Sequence, residues 1–204
     1  MSQSAVLPGL STTTSGRHVL EVADLSVEFR YRGRIVRAVN HVSYHVAQGE
    51  TLAIVGESGS GKSVSAQAVM GILDSPPGFV TSGQILFQGR DLLTMSRDDQ
   101  RAVRGPGIAM IFQDALSALN PVFTVGYQIA EMFRAHEGTS RREAKAKAIE
   151  LMERVGIPAA RARVGDYPHQ FSGGMRQRIM IAMAIALRPV LLIADEPTTA
   201  LDVT

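Results

Sequence analysis

The chain has 204 residues, 45% of them hydrophobic and 20% charged, with a formal net charge of +2 and no cysteine. That length suffices for one domain with a real core and a smaller second lobe, and the composition excludes a disordered chain. Near neutrality gives no electrostatic bias toward nucleic acid, and the missing thiols exclude disulfides, thiolate nucleophiles and Cys-ligated metals.

Met1 to Arg17 is rich in Ser, Thr and Gly without a charged-then-apolar signal pattern, so residues 1–18 are expected to form a disordered leader. Val19–Phe29 and Ile35–Val46 carry β-branched residues and predict two strands joined by Tyr31-Arg32-Gly33-Arg34. Thr51–Val55 is a compact apolar run entering a glycine loop, the pattern of a buried parallel strand. A helix is predicted from Lys62, with Val64, Ala68 and Ile72 at helical spacing, and Asp74-Ser75-Pro76-Pro77-Gly78 stops it. Gly83–Gly89 and Ile108–Phe112 predict further strands, the second one buried.

The middle of the chain turns helical. After Asn120-Pro121, an apolar face of Val125, Ile129, Met132 and Phe133 predicts an amphipathic helix. Ser140-Arg141-Arg142-Glu143 matches a capping box for the next, whose apolar face is Ala148, Leu151, Met152 and Val155, with Gly156 and Pro158 ending it. A long helix follows from Ser172, and Val190–Ala194 returns to a buried strand. The longest apolar run, Ile179–Leu187, is far short of the roughly 18 residues of a membrane span. It predicts a core helix, and any membrane process would need another chain.

Gly56-Glu57-Ser58-Gly59-Ser60-Gly61-Lys62-Ser63 is a full match to the phosphate-loop pattern G-x-x-x-x-G-K-[ST]. Its glycines allow successive backbone N–H groups to turn inward around a phosphate, and the positive end of the following helix points at the same spot. Lys62 can reach terminal phosphates, and the Ser63 hydroxyl suits Mg²⁺. The pattern also sits between a predicted strand and a predicted helix, the context it requires.

Asp195-Glu196 directly follows the strand Val190–Ala194. In a parallel sheet the strand ends form the ligand crevice, so both carboxylates would face the phosphate loop. Asp195 would hold Mg²⁺ through its water shell, and Glu196 would act as general base toward the attacking water.

Ser172-Gly173-Gly174-Met175-Arg176-Gln177-Arg178 places small residues at a second helix start, a second anion cradle of backbone donors and helix dipole. One chain needs only one cradle per nucleotide; two facing chains would need both. This string resembles the signature motif of the ABC transporter ATPases, usually written LSGGQ. The resemblance runs in order through the chain. Gln113 looks like the Q-loop glutamine, Leu191–Pro197 like the Walker B segment, and Thr199-Ala200-Leu201-Asp202 like the D-loop. Phe29 lies where the family places an aromatic that stacks on adenine, with Tyr31 the less favoured candidate. Ile111–Pro121, Tyr167–Arg178 and Ala194–Thr204 are similar to the ATPase subunits of dipeptide, oligopeptide and nickel importers. Phe171 in place of Leu and Met175 in place of Gln depart from the broad signature.

The resemblance implies an α/β fold of the phosphate-loop NTPase class. A mostly parallel sheet core would carry an N-terminal antiparallel β lobe and an inserted helical subdomain at about residues 115–171, with the signature helix from Ser172. Residues 19–204 would make up the ABC ATP-binding domain, incomplete at its C-terminus. The switch histidine would then fall beyond Thr204, and this stretch expressed alone is expected to hydrolyse ATP poorly and to aggregate. The implied cofactors are ATP and Mg²⁺: Phe29, residues 56–63 and, from a second subunit, Ser172, Gly173, Gly174 and Asp202 would bind nucleotide. Ser63, Gln113 and Asp195 would serve the metal, and Glu196, Gln113 and Lys62 catalysis. The implied partners are transmembrane permease subunits, a second ABC ATPase subunit (identical or different) and, indirectly, an extracytoplasmic solute-binding protein, with no nucleic acid. The location would be peripheral, on the cytoplasmic face of the plasma (inner) membrane. The competing functions are a soluble ABC ATPase of translation or DNA repair, and a nucleotide-binding regulator without turnover; an intact Glu196 argues against the second.

Other features have simpler readings. His169, in Tyr167-Pro168-His169-Gln170, reads as a loop histidine with a structural hydrogen bond. Arg141, Arg142, Lys145 and Lys147 share a helix with Glu143 and Glu150 and read as a solvated face. The 9 methionines read as core packing.

Overall fold

A computed structural model describes residues 18–114 and 118–196. Residues 1–17 of the expected leader and Thr199–Asp202 therefore lie outside the described residues, as do Pro197 and the first positions of the expected insertion; His18, the last leader position, is instead the first residue of a strand.

Strands β1 (His18–Tyr31) and β2 (Arg34–Ala47) form a long antiparallel hairpin, and β3 (Gly78–Phe87) pairs with the other edge of β1. The short β4 (Arg90–Asp91) completes a four-stranded antiparallel sheet ordered β2-β1-β3-β4. Alternating β-branched residues explain it: Val22, Leu25 and Val27 are fully buried beneath the sheet with Ile85. Helix α1 (Lys62–Met70) closes this core with Ala68 and Val69. It ends earlier than the prolines predict, because Gly71 turns left-handed (φ 63°) and its N–H bonds the Ala68 carbonyl at 3.1 Å.

Helix α2 (Arg97–Val103) leads to β5 (Ile108–Ile111), all four residues of which are buried. β5 pairs in parallel with β6 (Leu191–Ala194), Ile108 opposite Leu191 and Ile111 opposite Ala194. Between them lies the helical lobe: α3 (Val125–Glu137), α4 (Arg141–Arg154), α5 (Ala160–Arg163), a 3₁₀ turn at Pro168–Gln170 and α6 (Gly173–Ile185). Its core is Val125, Ile129 and Phe133 of α3, Ala148 and Met152 of α4, and Ile179 of α6. Ala109 and Ile111 of β5 meet Met180 and Ala184 of α6, which fastens the lobe to the parallel pair.

Two expectations need correction. Thr51–Val55 is not a buried strand: it has no strand assignment, and Val55 is 93% exposed. A strand exists through its ladder, and among the described residues no neighbour pairs with this run. It instead borders a slot of about 260 Å³ whose far wall is β6. The capping box at Ser140 is only half formed. Ser140 Oγ accepts the Glu143 N–H at 3.3 Å, while the Glu143 carboxylate lies 3.8 Å from Lys147. The methionine expectation holds for Met152, which is fully buried. It holds too for the buried Met110 and Met180, while Met70, Met132 and Met183 pack half-buried against the core; these five also line a cleft of about 250 Å³ between the lobes, beside Phe112.

Candidate active site

The loop from Gly56 to Gly61 enters α1 through two left-handed glycines, Gly59 (φ 83°) and Gly61 (φ 90°). A side chain at Gly61 would collide with the Ala38 carbonyl, so the loop needs glycine there for conformation and space together. Lys62 turns back over the loop and donates to the carbonyls of Gly56 at 2.7 Å and Glu57 at 2.9 Å. Its ammonium is therefore held at the mouth of the cradle. One turn further, the Tyr44 hydroxyl lies 3.1 Å from the Ser65 hydroxyl and ties β2 to α1. Burial pushes the Tyr44 phenol above its ordinary pKa, against a smaller downward pull from the Ser65 hydrogen bond.

The parallel pair delivers the acids. Ile111 ends β5, and its carbonyl accepts the Asp195 N–H at 2.9 Å, which registers the chain just past β6 against the segment leading to Gln113. Ser63 Oγ donates to Asp195 Oδ1 at 2.9 Å. Gln113 Nε2 donates to Glu196 Oε2 at 2.7 Å. Glu196 sits at φ 47°, a conformation uncommon for a residue with a side chain, which turns it away from the direction of β6. The 260 Å³ slot beside β6 is walled by Lys62, Asp195 and Glu196 at one end and by Leu52 and Ile54 along its side.

Lys62, Ser63, Gln113, Asp195 and Glu196 are thus brought into one neighbourhood, with both acids facing the phosphate loop as their place after an apolar strand predicts. Phe29 is not brought there: it packs half-buried against the core of the antiparallel sheet, outside the slot, while Tyr31 stands 64% exposed at the hairpin turn. Ser172 caps α6, its Oγ accepting the Met175 N–H at 3.4 Å. A Cβ at Gly173 or Gly174 would meet open space, and Ser172 and Gly173 are exposed, so the start of α6 faces solvent. Asp202 lies outside the described residues.

Oxygen donors from Ser63 and Asp195 suit Mg²⁺, which takes one or two protein carboxylates and completes its shell with phosphate and water. Among the described residues there is no cluster of three His, Cys, Asp or Glu that would form an all-protein metal cage. His169 of the 3₁₀ turn stacks on the preceding Tyr167 at 5.8 Å, and among the described residues the expected hydrogen bond is not formed. Lys147 pairs with Glu137 at 2.7 Å and holds that carboxyl below its usual range by hydrogen bonding, while Arg141, Arg142 and Lys145 are exposed.

Two supporting residues escaped the sequence reading. Gln128 is buried and bonds Asn120 twice, each at 2.9 Å, shaping the chain after the Q-loop region; a glutamine inside the apolar face of α3 was the available signal. Arg163 gathers both flanks of Ser172–Gly174, and no local pattern announces it.

A family model described as ABC transporter matches residues 39–199. The chain is 55% identical over 186 residues to an oligopeptide transport ATP-binding protein of Bacillus subtilis, covering 91% of this chain and 52% of that protein. It is 54% identical over 186 residues to a dipeptide transport ATP-binding protein of Haemophilus influenzae, covering 91% and 56%. The chain thus spans about half the length of the curated relatives it matches. A solved dimeric post-hydrolysis state of an ATP-binding cassette bound to ADP and Pi superposes with a TM-score of 0.79 at 27% identity, covering 90% of this chain and 76% of that one.

Proposed function

The chain belongs to the ABC transporter family, and from that premise we propose that the intact protein is the ATP-binding, ATP-hydrolysing subunit of an importer of dipeptides or oligopeptides. The observation that carries this reading is the pair of long-range hydrogen bonds, Ser63 to Asp195 and Gln113 to Glu196, which assemble one site from three distant segments. The names of the relatives, an oligopeptide and a dipeptide transport ATP-binding protein, support the cargo class. They lend nothing to a soluble ATPase of translation or repair.

Each residue has a task. Lys62 exchanges its loop carbonyls for the terminal phosphates of ATP, which the backbone N–H groups of residues 56–63 cradle. Ser63 and Asp195, with Gln113 close by, would hold Mg²⁺, which when bound neutralises charge on the phosphates. Glu196 accepts the proton of the attacking water, and Gln113, bonded to Glu196, sets the direction in which that carboxylate points.

Ser172–Gly174 of a second ABC subunit clamps the far end of the triphosphate, and Asp202 is assigned to nucleotide binding with them. ATP then contacts both subunits and favours the closed pair by differential affinity; hydrolysis removes the bridge. Permease subunits dock on the helical lobe and the Q-loop region, where the methionine-lined cleft opens beside Phe112. An extracytoplasmic binding protein supplies the cargo. No described helix is long and apolar enough to cross a membrane, and a peripheral site on the cytoplasmic face of the inner membrane follows from this reading.

The test is uptake by the assembled transporter, offered dipeptides, oligopeptides and nickel separately. Peptide uptake that needs ATP, and that is lost in Glu196→Gln while nucleotide binding persists, is the expected result. Uptake of nickel alone would overturn the cargo class, and hydrolysis indifferent to Glu196→Gln would overturn the mechanism.

A further inference from the structure

One guanidinium touches both sides of the outward-facing start of α6. Arg163, the last residue of α5, donates from Nη2 to the Gln170 carbonyl at 2.9 Å and from Nη1 to the Met175 sulfur at 3.3 Å. Its Nε donates to Asp166 Oδ2 at 3.0 Å. The guanidinium carbon stands 4.1 Å from the centroid of the Phe171 ring, which is itself 3% exposed in the helical core. Gln170 and Phe171 precede Ser172, and Met175 follows Gly174, so the cation brackets the three residues that face outward.

The chemistry suits a bracket. A guanidinium is planar and permanently charged, and it offers donors in fixed directions together with a face that stacks on an aromatic ring. A lysine ammonium could hold the carboxylate or the carbonyl but could not span all these partners. The two departures from the broad signature, Phe171 for leucine and Met175 for glutamine, are both contacts of Arg163. Leucine would give the guanidinium no ring face.

We infer that Arg163 is a positioning residue that sets the direction of the Ser172–Gly174 helix start, and so the strength with which it clamps ATP held by a partner subunit. The inference rests on the two-subunit reading above. Glycines next to a helix start leave that segment few side-chain contacts of its own, so its direction must come from its flanks. Arg163 supplies this on both flanks from outside the segment.

The experiment uses the full-length protein with Arg163→Gln, Arg163→Lys and Phe171→Leu, each also combined with Glu196→Gln. Four quantities are read: ADP affinity, kcat, KM, and the ATP concentration that drives dimer formation in the Glu196→Gln background. Arg163→Gln is expected to lower kcat by roughly tenfold or more and to raise the ATP needed for dimerisation, with ADP affinity within about twofold of the parent. Arg163→Lys recovers part of the loss, and Phe171→Leu shows a smaller loss that does not add to that of Arg163→Gln. A folded Arg163→Gln protein with parental kcat and dimerisation, or one losing ADP affinity in proportion, overturns the inference. Phe171→Leu keeps an apolar side chain in the core, so it decides the matter should the charge variants not fold: unchanged kcat there overturns it too. Failure of the underlying reading is seen separately, as a Glu196→Gln protein that forms no dimer at any ATP concentration.

Discussion

Ser63 and Asp195 stand 132 residues apart in the chain, and the Ser63 hydroxyl donates to the Asp195 carboxylate across 2.9 Å. The bond joins the first turn of the phosphate-loop helix to the end of the last described strand. It sets two oxygen ligands side by side before any cation is considered.

If those ligands act as a unit on Mg²⁺, removing either should do most of the damage of removing both. Ser63→Ala and Asp195→Asn in the full-length protein are each expected to lower Mg²⁺-dependent ATP hydrolysis by about tenfold or more. The double variant should fall short of the product of the two losses. ATPase rates across a Mg²⁺ titration measure this, and independent multiplicative losses would contradict the shared role.

Under the proposed mechanism Glu196 and Gln113 divide their work differently. Glu196→Gln is expected to slow hydrolysis by about 10²–10⁴, the usual worth of a general base, with nucleotide affinity retained. Gln113→Ala removes the 2.7 Å bond that directs that carboxylate and leaves the base itself in place. Its loss should be smaller, roughly tenfold, and confined to kcat. Single-turnover rates beside fluorescent-nucleotide binding separate the steps; a Gln113→Ala defect in affinity alone would refute the assignment.

The two left-handed glycines of the loop should differ in tolerance. Gly59→Ala meets open space and bears only the backbone penalty, of about 1 kcal/mol. Gly61→Ala bears a similar penalty and also drives a methyl group into the Ala38 carbonyl, so the loop must shift. Urea unfolding midpoints and ATP affinities of both variants give the comparison. Equal behaviour would mean that the Ala38 contact imposes no constraint.

Tyr44 predicts an alkaline effect. Burial raises its phenol pKa in the folded state, so the folded protein keeps a proton that the unfolded chain, near its ordinary value of about 10, has already released. The associated stability is fully present below that value and is lost as pH climbs through the folded pKa. Phenolate absorbance should therefore show a component titrating above the ordinary tyrosine range, and Tyr44→Phe should abolish it. The same substitution leaves the buried Ser65 hydroxyl without its 3.1 Å partner, at a cost of about 1–3 kcal/mol at neutral pH. Stability curves at neutral and alkaline pH test both statements.

Legibility in the sequence followed the range of the interaction concerned. Ser172 and Ser140 were readable as helix caps because the hydroxyl bonds an N–H three residues on. The same signal marks α2 at Ser96, whose Oγ accepts the Asp99 N–H at 3.2 Å. Thr51–Val55 departs from the strand its composition predicts because apolar composition is local whereas a strand needs a neighbour's edge. Motif order alone points to Phe29, whereas its half-buried place among the sheet side chains is set by β-lobe packing that no motif contains.

By itself the sequence determined the local chemistry: a glycine loop that turns its N–H groups inward, a lysine and a hydroxyl at the following helix start, two acids after an apolar strand, and a second small-residue helix start. Each depends on backbone geometry within a few residues, where composition decides conformation. Only the tertiary structure decided which of these meet. Ser63 reaches Asp195 and Gln113 reaches Glu196 because β5 and β6 pair in parallel, and the start of α6 faces outward with Arg163 across its flanks. Contacts over such separations are set by how buried strands and helices pack, and packing depends on every buried neighbour at once.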